Sequence, residues 1–234
     1  MNPTTFNLVA VSVFAFMLLS LVGPLLNISP AAVAIALTGC GGLLALDRFS
    51  WQGKGGNLLI DLLSGQSSEY RQRILHHEAG HFLAAHLLGI PIQSYTLSAW
   101  QGIKAGLPGL GGVIIEPSVP DDDTADAQPL TTQQINRYAI VGMAGIAAET
   151  QTYGSAQGGD DDKAQLRSLL QQSRLPSTEI DTQLRWALLQ ANTLLEKQQA
   201  AYQALVAAMA EQESVAVCCE QIETHKVSDS TRFE

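Results

Sequence analysis

The segment HHEAGHFLAAH, residues 76–86, contains four of the chain's five histidines and one glutamate. On an α-helix, side chains four residues apart lie on the same face, so His77 and His81 can present ring nitrogens to one metal ion. Glu78 lies beside them and can reach a water molecule on that ion without being a ligand itself. This HExxH spacing is typical of zinc sites in which two histidines hold the metal and the glutamate acts as general base. The sequence therefore predicts a metal-centred hydrolase site with His77 and His81 as ligands and Glu78 as the catalytic base.

The alternative is an amphipathic helix that carries histidines on its surface. That alternative does not explain why small residues, Ala79 and Gly80, fill the positions where a close-packed neighbour would need room. The remaining two histidines, His76 and His86, do not share the ligand face, and we expect them to be ordinary polar residues.

A catalytic zinc site needs a third protein ligand and one open position for water. The acidic residues downstream offer four candidates, Glu149, Asp160, Asp161 and Asp162. A separate group, formed by Cys218, Cys219 and His225, is a poorer metal site because adjacent cysteines point apart. The three cysteines of the chain define no disulfide framework.

Three further motifs follow the HEAGH pentapeptide. They are GMAGIAAE at residues 142–149, Tyr153-Gly154, and a Gly-Gly-acidic run that opens a helix. Together these motifs resemble the protease domain of FtsH-type membrane zinc endopeptidases over about residues 68–170. The likeness is greatest to the short, membrane-anchored relatives in photosynthetic lineages, which lack the ATPase module.

The resemblance implies a zinc cofactor and an aspartate ligand at the start of a helix, followed by apolar residues from four positions onward. Asp162 satisfies that pattern with Leu166, Leu169 and Leu170, and is preferred to Asp160 and Asp161. The resemblance also implies that Glu149 accepts a hydrogen bond from a ligand histidine, although a core helix that ends in a glutamate remains an alternative. It further implies that a strand, here residues 112–115, pairs with extended peptide substrate.

The N-terminal residues form two uncharged stretches, Leu8 to Leu26 and Ala31 to Leu46. About 20 apolar residues span a bilayer core, so residues 1–48 are predicted to form a transmembrane helical hairpin that contacts lipid through residues 8–46. A single span with a loosely attached second helix is the alternative. Cations follow the second stretch, so both termini and the peptidase domain are expected on the cytoplasmic-equivalent side of a plasma or thylakoid-type membrane.

The rest of the chain is predicted to be mainly α with a small β ribbon. Residues 49–67 form a linker, residues 68–225 the zinc-peptidase domain and residues 226–234 a disordered tail. Strands are expected at residues 92–100 and 112–116, joined by a glycine-rich loop, and residues 117–129 are expected to form a solvated loop. Helices are expected from Ser68 to before Gly89 and then over residues 133–151, 161–172 and 178–212.

These features predict a membrane-anchored, ATP-independent zinc metalloendopeptidase that acts on polypeptide substrates. The chain contains no GxxxxGK[ST] nucleotide loop, so cleavage without ATP or partnership with a separate ATPase-bearing protease is expected. Association into a homo-oligomer is the alternative to that partnership. The net charge of −9 argues against a nucleic-acid partner. One alternative is a non-catalytic membrane-anchored scaffold with the same fold. A site-2-type intramembrane protease is less favoured, because Glu69, Arg71 and Arg73 precede the motif.

Overall fold

The structure is a computed structural model that describes residues 3–27, 29, 31–36, 38–39, 42, 68–98, 112–115, 130–173 and 175–228. The chain divides into two compact units. One comprises Met1–Tyr70 and Ser98–Leu110, and the other comprises Arg71–Leu97 and Gly111–Glu234. The predicted linker at residues 49–67, the glycine-rich loop, the loop at 117–129 and the end of the tail lie outside the described residues.

The first unit contains helix α1, Pro3–Val22, followed by a short 3-10 turn, Gly23–Leu26. Residues 31–36 are also helical. Large apolar side chains of α1 are exposed, with Phe14 at 66% and Leu21 at 79%. Among the described residues, no helix combines the length and the apolar composition that a bilayer-spanning segment requires.

The second unit is mainly helical and carries one small sheet, as predicted. Its elements are α2 (Ser68–Leu87, which begins three residues earlier in the first unit), β1 (Ile92–Thr96), β2 (Gly112–Ile115), α3 (Thr132–Tyr153), α4 (Asp160–Gln172), α5 (Ser177–Lys197), α6 (Gln199–Ala210) and α7 (Val215–His225). Strands β1 and β2 pair in antiparallel orientation, with Ser94 opposite Ile114.

Two predicted boundaries are wrong. The first strand ends at Thr96 because the backbone bends at residues 97–98. The helix predicted over residues 178–212 is two helices that meet at Gln198, whose φ of −109° and ψ of 27° are not helical. The Gln198 side chain donates to the backbone carbonyl of Val227 and accepts from its N–H, and these contacts hold the break in place.

The core of the second unit is built from one apolar face of each helix. The largest fully buried side chains are Phe82, Leu83, Leu170, Leu195, Leu205, Met209, Ile222 and Cys218. Helices α2 and α3 approach very closely, since a Cβ added at Gly80 would lie 2.5 Å from the backbone oxygen of Ala144. Small residues on both helices therefore bring the HEAGH segment and the GMAGIAAE segment into direct contact.

Candidate metal centre

Helix α2 buries polar side chains in the middle of an otherwise apolar segment. His77 and His81 are each 8% exposed, and Glu78 is 7% exposed. The other residues between positions 79 and 85 are buried and are either apolar or small. Burying polar groups costs free energy unless they are hydrogen-bonded or bind an ion. The partners of these three side chains therefore indicate what the site is for.

His77, His81 and Asp162 bring three potential ligand atoms together. The two Nε2 atoms are 3.0 Å apart, and the Asp162 carboxylate lies 3.0 Å from His77 Nε2 and 3.6 Å from His81 Nε2. Ligands around a tetrahedral zinc ion, at about 2.0–2.1 Å from the metal, are separated by roughly 3.4 Å. These three side chains form a group that could hold a metal ion, and their spacing fits one face of such a tetrahedron.

The other ring nitrogen of each histidine has an acceptor of its own. His77 Nδ1 lies 2.8 Å from Glu149 Oε1, and His81 Nδ1 lies 2.7 Å from the backbone oxygen of Val141. A neutral imidazole that donates from Nδ1 keeps a lone pair on Nε2. In that tautomer, the Nε2 lone pairs of both histidines would point towards each other and towards the Asp162 carboxylate.

Three converging acceptors need positive charge between them. Burial lowers the pKa of His77, but hydrogen bonds to Asp162 and Glu149 outweigh burial and raise that pKa to about 10. Burial would raise the pKa of Asp162, yet the two histidines hold it well below its usual range. The electrostatics are those of a cation site.

Only one of the three consecutive aspartates faces this site. Helix α4 begins after Gly159, and all three acidic side chains lie in its first turn, where the helix dipole stabilises negative charge. Asp160 is 84% exposed and lies 3.9 Å from Lys163, and Asp161 is exposed. Asp162 turns inward because Leu166 and Leu170 of the same helix are buried in the core.

Space for an ion is provided by a glycine on α3. A Cβ added at Gly145 would lie 2.5 Å from the Nε2 atoms of both His77 and His81. Any larger residue would press on the two candidate ligand atoms. The donor set of two imidazoles and one carboxylate, with room beside it, suits zinc in a catalytic site.

Glu78 is a buried carboxyl group next to the candidate ligands. Its Oε2 atom has no hydrogen-bond partner within the described part of the chain. Burial raises the pKa of Glu78, and the nearby histidines oppose this effect only in part. A buried carboxylate with an unused oxygen is suited to accept and return a proton.

Glu149 connects His77 to the loop that leads into α4. Its Oε2 accepts from the backbone N–H of Gln157 at 2.9 Å, and its Oε1 accepts from that of Gly158 at 3.2 Å. Burial would raise the pKa of Glu149, but these bonds and the one with His77 lower it. The same carboxylate thus orients one histidine and fixes the backbone just before Asp162.

The other two histidines of the segment lie away from the ligand group. His76 Nδ1 is 2.8 Å from the hydroxyl of Tyr202, and His86 Nε2 is 2.8 Å from Glu223. Both side chains connect α2 to later helices.

Sequence analysis missed two partners of the site. The Val141 carbonyl, which holds His81, leaves no signal in side-chain identity. In the sequence Arg73 is one of several charges that precede the motif, whereas in the structure its Nη1 lies 3.7 Å from Glu149 Oε2. Its position one helical turn before His77 places both on the same face of α2 and could have indicated this role.

No known protein-family model matches the sequence, and no curated protein is significantly similar to it.

Proposed function

We propose that the chain is a membrane-anchored zinc endopeptidase that cleaves polypeptides without ATP. One observation carries the proposal: two imidazole nitrogens and a carboxylate oxygen lie within 4.8 Å of one another, and the buried Glu78 lies beside them in the sequence. The resemblance of HEAGH, GMAGIAAE and the Gly-Gly-acidic run to FtsH-type zinc endopeptidases supports the same function.

In the proposed reaction, His77, His81 and Asp162 would hold the zinc ion. Bound zinc would lower the pKa of a coordinated water to about 7 and polarise the peptide carbonyl. Glu78 accepts the proton of the attacking water and then delivers it to the leaving amine. By accepting from Nδ1, Glu149 and the Val141 carbonyl would keep both histidines in the tautomer that leaves Nε2 free to bind the ion.

Strand β2 is the proposed site of substrate pairing. Within the described residues it pairs on one side only, with β1. A strand edge can bind extended peptide through main-chain hydrogen bonds, a mode that tolerates many sequences. We therefore expect flexible or damaged segments as substrates rather than one defined sequence.

Helix α1 is proposed to contribute to membrane anchoring. It carries no charged residue between Pro3 and Val22, and exposes large apolar side chains. Lipid contact through residues 8–46 would hold the peptidase unit near the membrane surface on the cytoplasmic-equivalent side. A separate ATPase-bearing protease or further copies of this chain are the proposed partners.

The test is hydrolysis of casein or a quenched fluorescent peptide by the full-length protein in detergent with zinc. Glu78→Gln should keep the metal and reduce the rate of hydrolysis by about 10²- to 10⁴-fold. Glutamine has the size and shape of glutamate but lacks the carboxylate that accepts the proton. Glu69→Gln, at an exposed position in the first turn of α2, is the matched control and should remain active.

Equal rates for the Glu78→Gln variant and the wild-type protein would refute the proposed base. If the purified chain alone degraded protein faster with ATP, the ATP-independent mechanism would be wrong.

A further inference from the structure

Arg73 and His77 approach different oxygens of the same Glu149 carboxylate. The Glu149 carboxylate uses Oε1 for His77 and presents Oε2 to Arg73 Nη1 at 3.7 Å, an ion-pair distance. Arg73 precedes His77 by one helical turn, so a single rigid helix sets the separation between the histidine and the arginine.

The Arg73 side chain is held in place by two other contacts. Its Nη1 donates to the backbone oxygen of Ser155 at 3.3 Å, and its guanidinium carbon lies 4.2 Å from the centre of the Tyr153 ring. The side chain is only 13% exposed. A guanidinium stacked on an aromatic ring and bonded to a loop carbonyl loses little further freedom when it pairs with a carboxylate.

Arg73 places a positive charge beside a buried carboxylate. The Glu149 side chain is 3% exposed, and Arg73 Nη1 lies 3.7 Å from its Oε2. At such a buried position a carboxylate without a nearby cation would be costly.

We propose that Arg73 is a positioning residue of the metal centre: it holds the Glu149 carboxylate in the orientation that directs His77 Nε2 to the ion. The same side chain fixes the loop before α4, because it binds Ser155 while Glu149 binds the N–H groups of Gln157 and Gly158. Arg73 thus acts on two candidate ligands. It positions His77 by way of Glu149, and it positions Asp162 by way of the loop that contains Ser155. This inference rests on the metal-binding part of the proposed function.

The experiment measures the zinc affinity of the full-length protein in detergent by competition with a chromophoric chelator. Partners that orient metal ligands typically contribute 10- to 100-fold to metal affinity. Arg73→Met should weaken zinc binding by about 10-fold, and Arg73→Lys should recover part of that loss because it keeps the charge. Arg71→Met, an exposed arginine of the same helix, is the control and should bind zinc as the wild-type protein does.

A double-mutant cycle separates positioning through Glu149 from a general effect on folding. In a Glu149→Gln background, Arg73→Met should cost little further zinc affinity, because the group through which Arg73 acts is already neutral. Circular dichroism of each zinc-free variant shows whether it is folded, and Arg73→Lys provides the comparison if Arg73→Met is not.

Wild-type affinity in Arg73→Met, or the same loss with and without the Glu149 substitution, overturns the role of Arg73 while leaving the metal site intact. Failure of the wild-type protein to bind zinc overturns both this inference and the proposed function.

Discussion

Helices α1 and α2 are both 20 residues long, but they differ in which side chains they bury. In α1 apolar side chains are exposed, with Phe14 at 66% and Leu18 at 49%. In α2 polar side chains are buried, with His77, Glu78 and His81 all below a tenth exposed. Folded soluble domains usually show the reverse of both patterns.

The difference lies in what surrounds each unusual surface. The two buried histidines of α2 have partners within their own unit: Glu149 and Asp162 contact His77, and the Val141 carbonyl contacts His81. Those partners leave converging lone pairs, which a cation can satisfy. For α1, the apolar surface is explained by our proposal that lipid covers it. Each helix can therefore be tested by changing the feature that makes it unusual.

The largest effect is expected when charge is placed on α1. The double substitution Phe14→Lys/Leu18→Lys puts two cations on one face, and each lysine costs about 2.5–3.5 kcal/mol at the centre of a bilayer. We expect most of the protein to move from the membrane-bound to the soluble fraction in a vesicle flotation assay. Leu189→Lys/Val227→Lys changes two exposed apolar residues of the second unit and should leave membrane binding unchanged. Equal flotation of both double variants would mean that α1 does not contact lipid.

The next largest effect concerns the acidic ligand of the α2 site. Asp162→Asn removes the charge that closes the ligand group, and zinc affinity should fall by more than about 100-fold, beyond the usual effect of residues that only orient ligands. Asp160→Asn neutralises an exposed aspartate two residues earlier and should bind zinc normally. Chelator competition measures both. If Asp160→Asn were the weaker binder, the assignment of the third ligand would be incorrect.

A smaller effect is expected from the space beside the two histidines. Gly145→Ala places a methyl group against both Nε2 atoms, and overpacking of this kind typically costs 1–3 kcal/mol, which corresponds to about 5- to 150-fold in zinc affinity. At Gly142, on the same helix, an added Cβ would meet Leu166 at an ordinary 3.6 Å. Gly142→Ala should therefore keep its zinc and should be as stable as the wild-type protein or more so. Normal zinc binding by Gly145→Ala would show that the ion does not occupy this space.

Local sequence predicted the parts of the site that are set by helix geometry. The i,i+4 spacing of His77 and His81 needs only a helix. The preference for Asp162 comes from the resemblance to FtsH-type proteases, which implies apolar residues such as Leu166 and Leu170 after the aspartate, and both leucines are buried. The close approach of α2 and α3 could be anticipated from Gly80 and the small residues that precede Glu149.

Features that depend on contacts between residues far apart in the chain could not be predicted from the local sequence. The sequence around Gln198 contains neither glycine nor proline, so nothing local ends the helix there. The break accompanies hydrogen bonds to Val227, 29 residues later. Likewise, the contact between Arg73 and Ser155 depends on how the loop after α3 folds back onto α2.

The central claim is that His77, His81 and Asp162 bind a zinc ion, and X-ray absorption at the zinc edge of the purified full-length protein tests it most directly. We predict one zinc per chain with only nitrogen and oxygen neighbours at about 2.0–2.1 Å, and loss of this signal in Asp162→Asn. A sulfur shell at about 2.3 Å, which would indicate a cysteine ligand, or the absence of bound zinc would contradict the claim.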